Sequence, residues 1–287
     1  MAKTHFSITQ RALIKCRQKL YRGKTNFPYL SGDGFATLAD FRVENLSDLE
    51  NFSQLNTIPK IIFAKSNLVQ DLLNIKKESD SEHILLAGND DFNFKTIPIY
   101  SESIFSRIYL QNSLISDNKN IFTLPIGVEN ISVGINGLPH NLQMTQSWLD
   151  KKNKLMIGPF SPTNAERLDL MEVFSTDNHK VEKIEKFLMP SIFAESMSSF
   201  QYVACPQGNG VDTHRFWEAL YRGCVPIVLK SKWSLSLEYL NIPFLQLAKW
   251  QDFESEIKKF EENFFGFNPL NLEFLWLPYW RNFLNNN

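Results

Sequence analysis

Arg215, Glu218 and Arg222 recur at spacings of three, four and seven, which puts one acid and two guanidinium groups on a single face of a helix. They follow Cys205-Pro-Gln-Gly-Asn-Gly-Val-Asp-Thr-His214, a loop with Gly208 and Gly210 on either side of Asn209. The two glycines allow backbone angles that other residues resist, and Asp212 or Thr213 can cap the helix that follows. Backbone N–H groups at the mouth of such a helix, with roughly half a positive charge from its dipole, suit a phosphate or diphosphate. Arg215 in the first turn can reach that phosphate, and Glu218 one turn on can accept hydrogen bonds from the two hydroxyls of a ribose. Asn209, Asp212 and His214 belong to the same candidate nucleotide site. The competing structural reading is a salt-bridge ladder on an ordinary crossover helix.

These residues need strands to hold them. The apolar run Phe200 to Cys205 predicts a buried strand before the loop, and Val225 to Leu229 predicts another after Gly223 has ended the helix near Tyr221. Farther upstream, Ile61 to Ala64, Ile84 to Ala87, Ile97 to Tyr100 and Ile121 to Leu124 are short apolar runs, the pattern of a buried parallel sheet. Asp71 to Lys77 and Ser103 to Leu110 are the helical candidates between them. Tyr29 to Phe35 reads as chain entering this sheet, with a turn at Ser31-Gly32-Asp33-Gly34 that exposes Asp33 to a cleft.

The charged run Asp150-Lys-Lys-Asn-Lys154 predicts a boundary, giving units at 1–150 and 151–287. Leu155 to Phe160 then starts a new strand, and Ser161, Thr163, Asn164 and Arg167 occupy the loop and helix start behind it. Ligands bind at that place in α/β sheets, so Asn164 and Arg167 join the candidate site, with capping the alternative for Asn164. A helix at Val181 to Phe187, a strand at Phe244 to Leu247 and a helix at Phe253 to Phe260 complete the unit. Trp276, Tyr279, Trp280 and Phe283 recur at helical spacing as an apolar stripe packed on the body.

The run from Cys205 to Val228 resembles the signature of exostosin-like glycosyltransferases, with its proline-glycine loop, Arg and Glu on the next helix, and Gly-Cys-x-Pro turn. Leu30 to Phe35, Leu86 to Phe92 and Leu124 to Asn130 are similar to segments of bacterial-type relatives. The resemblance implies a GT-B architecture, two Rossmann-like α/β domains facing across a cleft. In it the second domain holds the sugar nucleotide and a C-terminal segment crosses back to the first. It further implies an inverting, metal-independent glycosyltransferase that moves a sugar from a nucleotide-diphosphate donor, UDP-sugar ahead of GDP-sugar, to a hydroxyl of a glycan or glycoconjugate. The expected setting is polysaccharide biosynthesis. No further cofactor is required.

In such a reaction a carboxylate or His must take the acceptor proton. Asp33 is the first candidate, Asp90 and Asp91 follow because Gly88-Asn89-Asp90-Asp91 opens from a strand end, and Glu129 and His140 come after them. Retaining enzymes of related architecture carry two Glu residues eight positions apart, whereas Gly210 stands eight before Glu218. Asn89 and Asp91 imitate an Asp-x-Asp metal motif without its first acid, and His214 with Glu218 lacks a third metal ligand. A nicotinamide fingerprint needs glycine where Thr213 stands. The remaining rival is a nucleotide- or glycan-binding protein of the same fold without turnover.

With 30 basic and 31 acidic residues in 287, the chain has a formal charge of −1, which gives no reason to expect a nucleic-acid partner. It has no apolar run of eighteen residues and no signal-peptide core at its start, so the expected location is cytoplasmic. Cys16, Cys205 and Cys224 make neither a metal pair nor an even disulfide set. The first two dozen residues are basic, with Lys3, Arg11, Lys15, Arg17, Lys19, Arg22 and Lys24, and predict a helix whose basic face is solvated while its apolar side packs on the body, or else meets an anionic membrane surface at its periphery or an acidic acceptor glycan.

Overall fold

The computed structural model describes residues 15–16, 19–21, 23–75, 77, 82–97, 104–115, 118–134, 136–176 and 178–286. Most of the basic N-terminal segment, and residues 98–100 of the run expected as a strand, lie outside them. The chain is α/β, with two five-stranded sheets in which every pair is parallel. The first sheet contains β1 (Phe41–Val43), β2 (Ile61–Lys65), β3 (His83–Gly88), β4 (Phe105–Leu110) and β5 (Ile121–Thr123), ordered β1-β2-β3-β4-β5. The second contains β6 (Lys152–Ile157), β7 (Val181–Lys183), β8 (Phe200–Ala204), β9 (Val225–Leu229) and β10 (Leu245–Leu247), ordered β10-β9-β8-β6-β7.

The two orders have different consequences. In the first sheet the chain always steps the same way, so right-handed crossovers all fall on one face. That face is covered by α2 (Leu46–Ser53) and α3 (Val69–Asn74), whose Leu49, Phe52, Leu72 and Leu73 pack on Ile62, Ala64, Leu85 and Ala87. The alternate residues Ile61, Phe63, Ile84 and Leu86 face the other way and need a cover from elsewhere in the chain. They receive it from α1 (Gly32–Ala36) and from α9 (Leu277–Asn286) at the far end of the sequence. Trp280 sits edge-on to Phe35 at 5.4 Å and to Tyr109 at 6.3 Å, and its indole N–H donates to Phe274 O at 2.8 Å. Leu277 N donates to Pro28 O at 2.8 Å, and Tyr29 bridges to Trp276.

In the second sheet the order reverses between β6 and β8, so its connections cover both faces. On one side α4 (Ala165–Val173) and α8 (Phe253–Glu261) bring Leu170, Phe253 and Ile257 onto Leu155, Ile157 and Tyr202. On the other, α5 (Pro190–Ser198), α6 (His214–Tyr221) and α7 (Lys232–Ser236) bring Met197, Phe216 and Trp233 onto Met156, Val203 and Val228. This second cluster is continuous with the α1 and α9 side of the first sheet. Helix α6 is the joint: the Tyr221 hydroxyl accepts from Leu30 N at 2.9 Å and donates to Leu275 O.

Three sequence expectations are corrected. Ser103 to Leu110 is strand β4 where it is described, not a helix, because Phe105, Ile108, Tyr109 and Leu110 are buried in a ladder between β3 and β5. The apolar spacing of Val181, Ile184 and Phe187 imitates a helix, yet Val181–Lys183 pairs as an edge strand with β6. Ser31 to Gly34 is not a turn at a strand end but the start of α1, capped by the Ser31 side chain, which accepts from Gly34 N. Among the described residues no helix is long and apolar enough to cross a membrane.

Candidate active site

Two sets of loops meet at the C-terminal strand ends. From the first sheet come the segments after β3, β4 and β5; from the second come the segment after β6 and the loop from Cys205 into α6. The reversal between β6 and β8 opens a crevice at those two strand ends, where parallel sheets bind ligands.

A cavity of ≈ 430 Å³ lies on the first-sheet side, lined among others by Gly32, Asn89, Asp90, Asp91, Gln111, Glu129 and His214. Its walls are amide-rich and tightly built. Asn89, at φ 60°, donates from Nδ2 to Asp33 Oδ1 at 3.0 Å, while Asn130 Nδ2 donates to Asn89 Oδ1 at 2.9 Å. A Cβ on Gly32 would stand 1.6 Å from Asn89 Oδ1, so the approach of these two segments requires glycine. The other Asp33 oxygen accepts from the Ser132 hydroxyl. Asp33 therefore has both carboxylate oxygens engaged in holding the wall. Asp90 accepts from Phe92 N at 3.0 Å in a local turn, and Asp91 accepts from Asn209 Nδ2 at 2.9 Å, tying the β3 loop to the glycine loop.

Glu129 and His214 share this cavity. Asn136 donates to Glu129 Oε2 from its backbone N at 3.1 Å and from Nδ2 at 2.9 Å. Burial raises the Glu129 pKa above the ordinary carboxylate value, with nearby His214 pulling it back down. His214 Nδ1 lies 2.8 Å from Gly127 O. A carbonyl only accepts, so the proton of the neutral ring sits on Nδ1 and Nε2 is left as the acceptor. His140, the other histidine considered, lies in the 3₁₀ turn Pro139–Asn141 and does not line the cavity.

On the second-sheet side the glycine loop is held by arginines. Arg167 donates from Nε to Gln207 O and from Nη1 to Ser161 O, each at 2.9 Å. Arg215 donates to Gly158 O at 3.0 Å and Pro159 O at 3.3 Å, and stacks on Phe160 at 5.2 Å and Phe193 at 4.6 Å. Burial lowers both guanidinium pKa values. Asn164 does both jobs considered for it, capping α4 through Oδ1 to Glu166 N at 2.9 Å and donating to Gly208 O at 3.0 Å.

Gly208 and Gly210 are not at positive φ, which corrects the reason given for them. A Cβ on Gly208 would lie 2.7 Å from Arg167 Nη2, and one on Gly210 would lie 2.5 Å from Asn112 Oδ1. They are small because side chains from other loops press on them. Gly223, at φ 67°, follows the end of α6. Thr213 is the N-cap of α6 and makes no side-chain cap.

Two members of the motif separate sharply. Asp212 is buried, accepting from Ile126 N and from Trp217 Nε1 at 2.9 Å each, while its own N–H donates to Asn112 Oδ1 at 2.9 Å. It joins the two sheets. Glu218 is 6% exposed, yet its carboxylate makes no hydrogen bond or ion pair with any described residue. Arg222, on the same face by spacing, is buried below it and donates to Glu218 O at 2.8 Å and to Asn141 O, so it supports the helix end. Among the described residues no three His, Cys, Asp or Glu side chains are grouped to hold an ion.

No protein-family model matches the chain, and no curated protein matches it. The site therefore speaks through its own chemistry. Sequence reasoning missed Gln111, Asn112 and Asn93. Gln111 Oε1 accepts from Asn89 N at 2.9 Å, and Asn93 pairs with the glycine loop through Asn209 O and Val211 N. Single Asn and Gln residues carry no spacing signal, and Gln111 and Asn112 directly follow a segment misread as helix.

Proposed function

We propose that this chain is an inverting glycosyltransferase of GT-B type that uses a nucleotide-diphosphate sugar, a UDP-sugar ahead of a GDP-sugar, and needs no metal for donor binding. The observation that carries the reading is Glu218: a carboxylate behind the glycine loop that makes no hydrogen bond with any described residue, while Arg215 and Arg222 neighbour its charge. Its oxygens are left to accept hydrogen bonds, and a ribose diol supplies two donors. Arg215, three residues before it, Arg167 across the loop and the uncapped start of α6 gather positive charge for the diphosphate.

In the reaction the acceptor oxygen attacks the anomeric carbon as the bond from that carbon to the diphosphate oxygen breaks. The diphosphate leaves with the bonding pair, and the acceptor proton passes to a base. Of the groups at the cavity, His214 fits that task best, with its Nδ1 committed to Gly127 and Nε2 left to accept. Glu129 beside it stabilises the imidazolium that forms. Asp33 is a wall-building residue in this reading, and Asp90 and Asp91 orient the β3 loop.

Calorimetric titration with UDP, GDP and CDP, without and then with magnesium, tests the donor site. Binding of one diphosphate without metal is expected; absence of binding by all three removes the reading. With the sugar nucleotide of the base that binds, His214→Gln is expected to keep donor affinity and to lower nucleotide release about 10²-fold or more. Unchanged release in that variant moves the proton to Asp90 or Asp91.

A further inference from the structure

The stripe Trp276, Tyr279, Trp280 and Phe283 does not pack as one unit. Trp280 is 1% exposed and belongs to the core, whereas Trp276, Tyr279 and Phe283 are half-buried and line an open groove of ≈ 530 Å³ on α9. Tyr279 and Phe283, one turn apart, are stacked, with centroids 5.8 Å apart and planes at 13°. Trp276 continues the row toward the body, where it meets Tyr29 at 5.3 Å and Tyr221 at 5.6 Å. Beside the rings stand Glu273, Asn282 and Asn286. Their side chains make no hydrogen bond with any described residue.

We propose that this groove binds a neutral oligosaccharide, with a pyranose face lying against the exposed side of Tyr279 and hydroxyls bonded by Asn282, Asn286 and Glu273. A sugar ring offers an apolar C–H face and a rim of hydroxyls that both donate and accept. The groove offers matching chemistry, an aromatic side chain that can stack through its face and side-chain amides that donate and accept. Charge narrows the class. The lining holds one carboxylate and no cation, so it offers no charge partner to phosphate, sulfate or an anionic lipid. A purely apolar partner would bury three polar side chains without partners. That the bound glycan is the acceptor rests on the transferase reading; that the groove binds glycan does not.

The test is saturation-transfer NMR and calorimetry of the full chain with cellotetraose, maltotetraose, laminaritetraose and chitotetraose, with a sulfated tetrasaccharide as the charged control. At least one neutral tetrasaccharide is expected to bind and the sulfated one to be excluded. Tyr279→Ala is expected to weaken that binding roughly tenfold. Asn282→Ala, at an exposed position that cannot unfold the chain, is expected to weaken it severalfold. UDP affinity should be unchanged in both variants. No binding by any neutral tetrasaccharide, or binding that survives both substitutions, overturns the proposal. Loss of UDP binding in the parent protein alone overturns the transferase reading and leaves the groove standing.

Discussion

Glu218→Gln is expected to weaken binding of UDP by roughly ten- to hundredfold while leaving the empty protein folded. Hydrogen bonds that involve an ionised group contribute about 1.5–3 kcal/mol, and every 1.4 kcal/mol is tenfold in affinity. The amide keeps the shape of the side chain but loses the charge and one acceptor, so the ribose hydroxyls lose part of their pairing. In the empty protein the same change breaks no hydrogen bond with a described residue but removes the negative charge that faces Arg215 and Arg222, so a modest loss of stability is expected. Calorimetry and thermal melting read the two effects separately. Weaker binding with a slightly lower melting temperature and a still cooperative transition is the expected pair. Unchanged affinity would show that the nucleotide does not touch this carboxylate, and the donor reading would fail with it. Arg215→Ala is a poorer probe, since Arg215 also holds Gly158 O and Pro159 O and stacks on two phenylalanines.

Asp212→Asn acts on the fold instead. Its two oxygens accept separately from Ile126 N and Trp217 Nε1, and an Asn side chain can satisfy only one of them while facing the other with its own N–H groups. The expected loss is about 2–4 kcal/mol in urea unfolding, from one buried donor left unpaired and set against the amide's own N–H groups. A stability within a few tenths of the parent would mean that Asp212 does not tie the sheets together and is available to a ligand. The pH dependence follows from the same burial. Enclosure pushes the Asp212 carboxyl up to about 7, against hydrogen bonds that favour the charged form. The native state thus holds this proton more tightly than the unfolded chain, whose Asp titrates near 3.9. Its contribution to stability is full below about pH 4, declines as pH rises and is gone above about pH 7. Asp212→Asn should reduce that slope. Glu166, also raised by burial to about 7, keeps part of it.

Much of this molecule was legible in the chain because the signals were local. The apolar runs at Ile61, Ile84 and Ile121 became β2, β3 and β5, and the motif from Cys205 to Val228 became strand, loop, helix and strand. Side-chain alternation and a glycine at the end of a helix are written within a few residues. What failed was either ambiguous over a short span or set by distant neighbours. Six residues from Phe105 to Leu110 fit a helix period as well as a strand, and only pairing to β3 and β5 decides between them.

The site divides in the same way. The sequence by itself determined which groups carry the chemistry: Arg215 and Glu218 one turn apart, a glycine loop before them, and acids after a strand end. Tertiary structure decided what each group is free to do. Asp212 is consumed by Ile126, 86 positions away, and His214 is given its tautomer by Gly127, 87 positions away. Arg222 is drawn inward to Asn141, and Gly210 is small because Asn112 leans on it. A hydrogen bond depends on what reaches within about 3 Å in space, and the path of the chain brings residues that close without leaving a mark in the spacing of either partner.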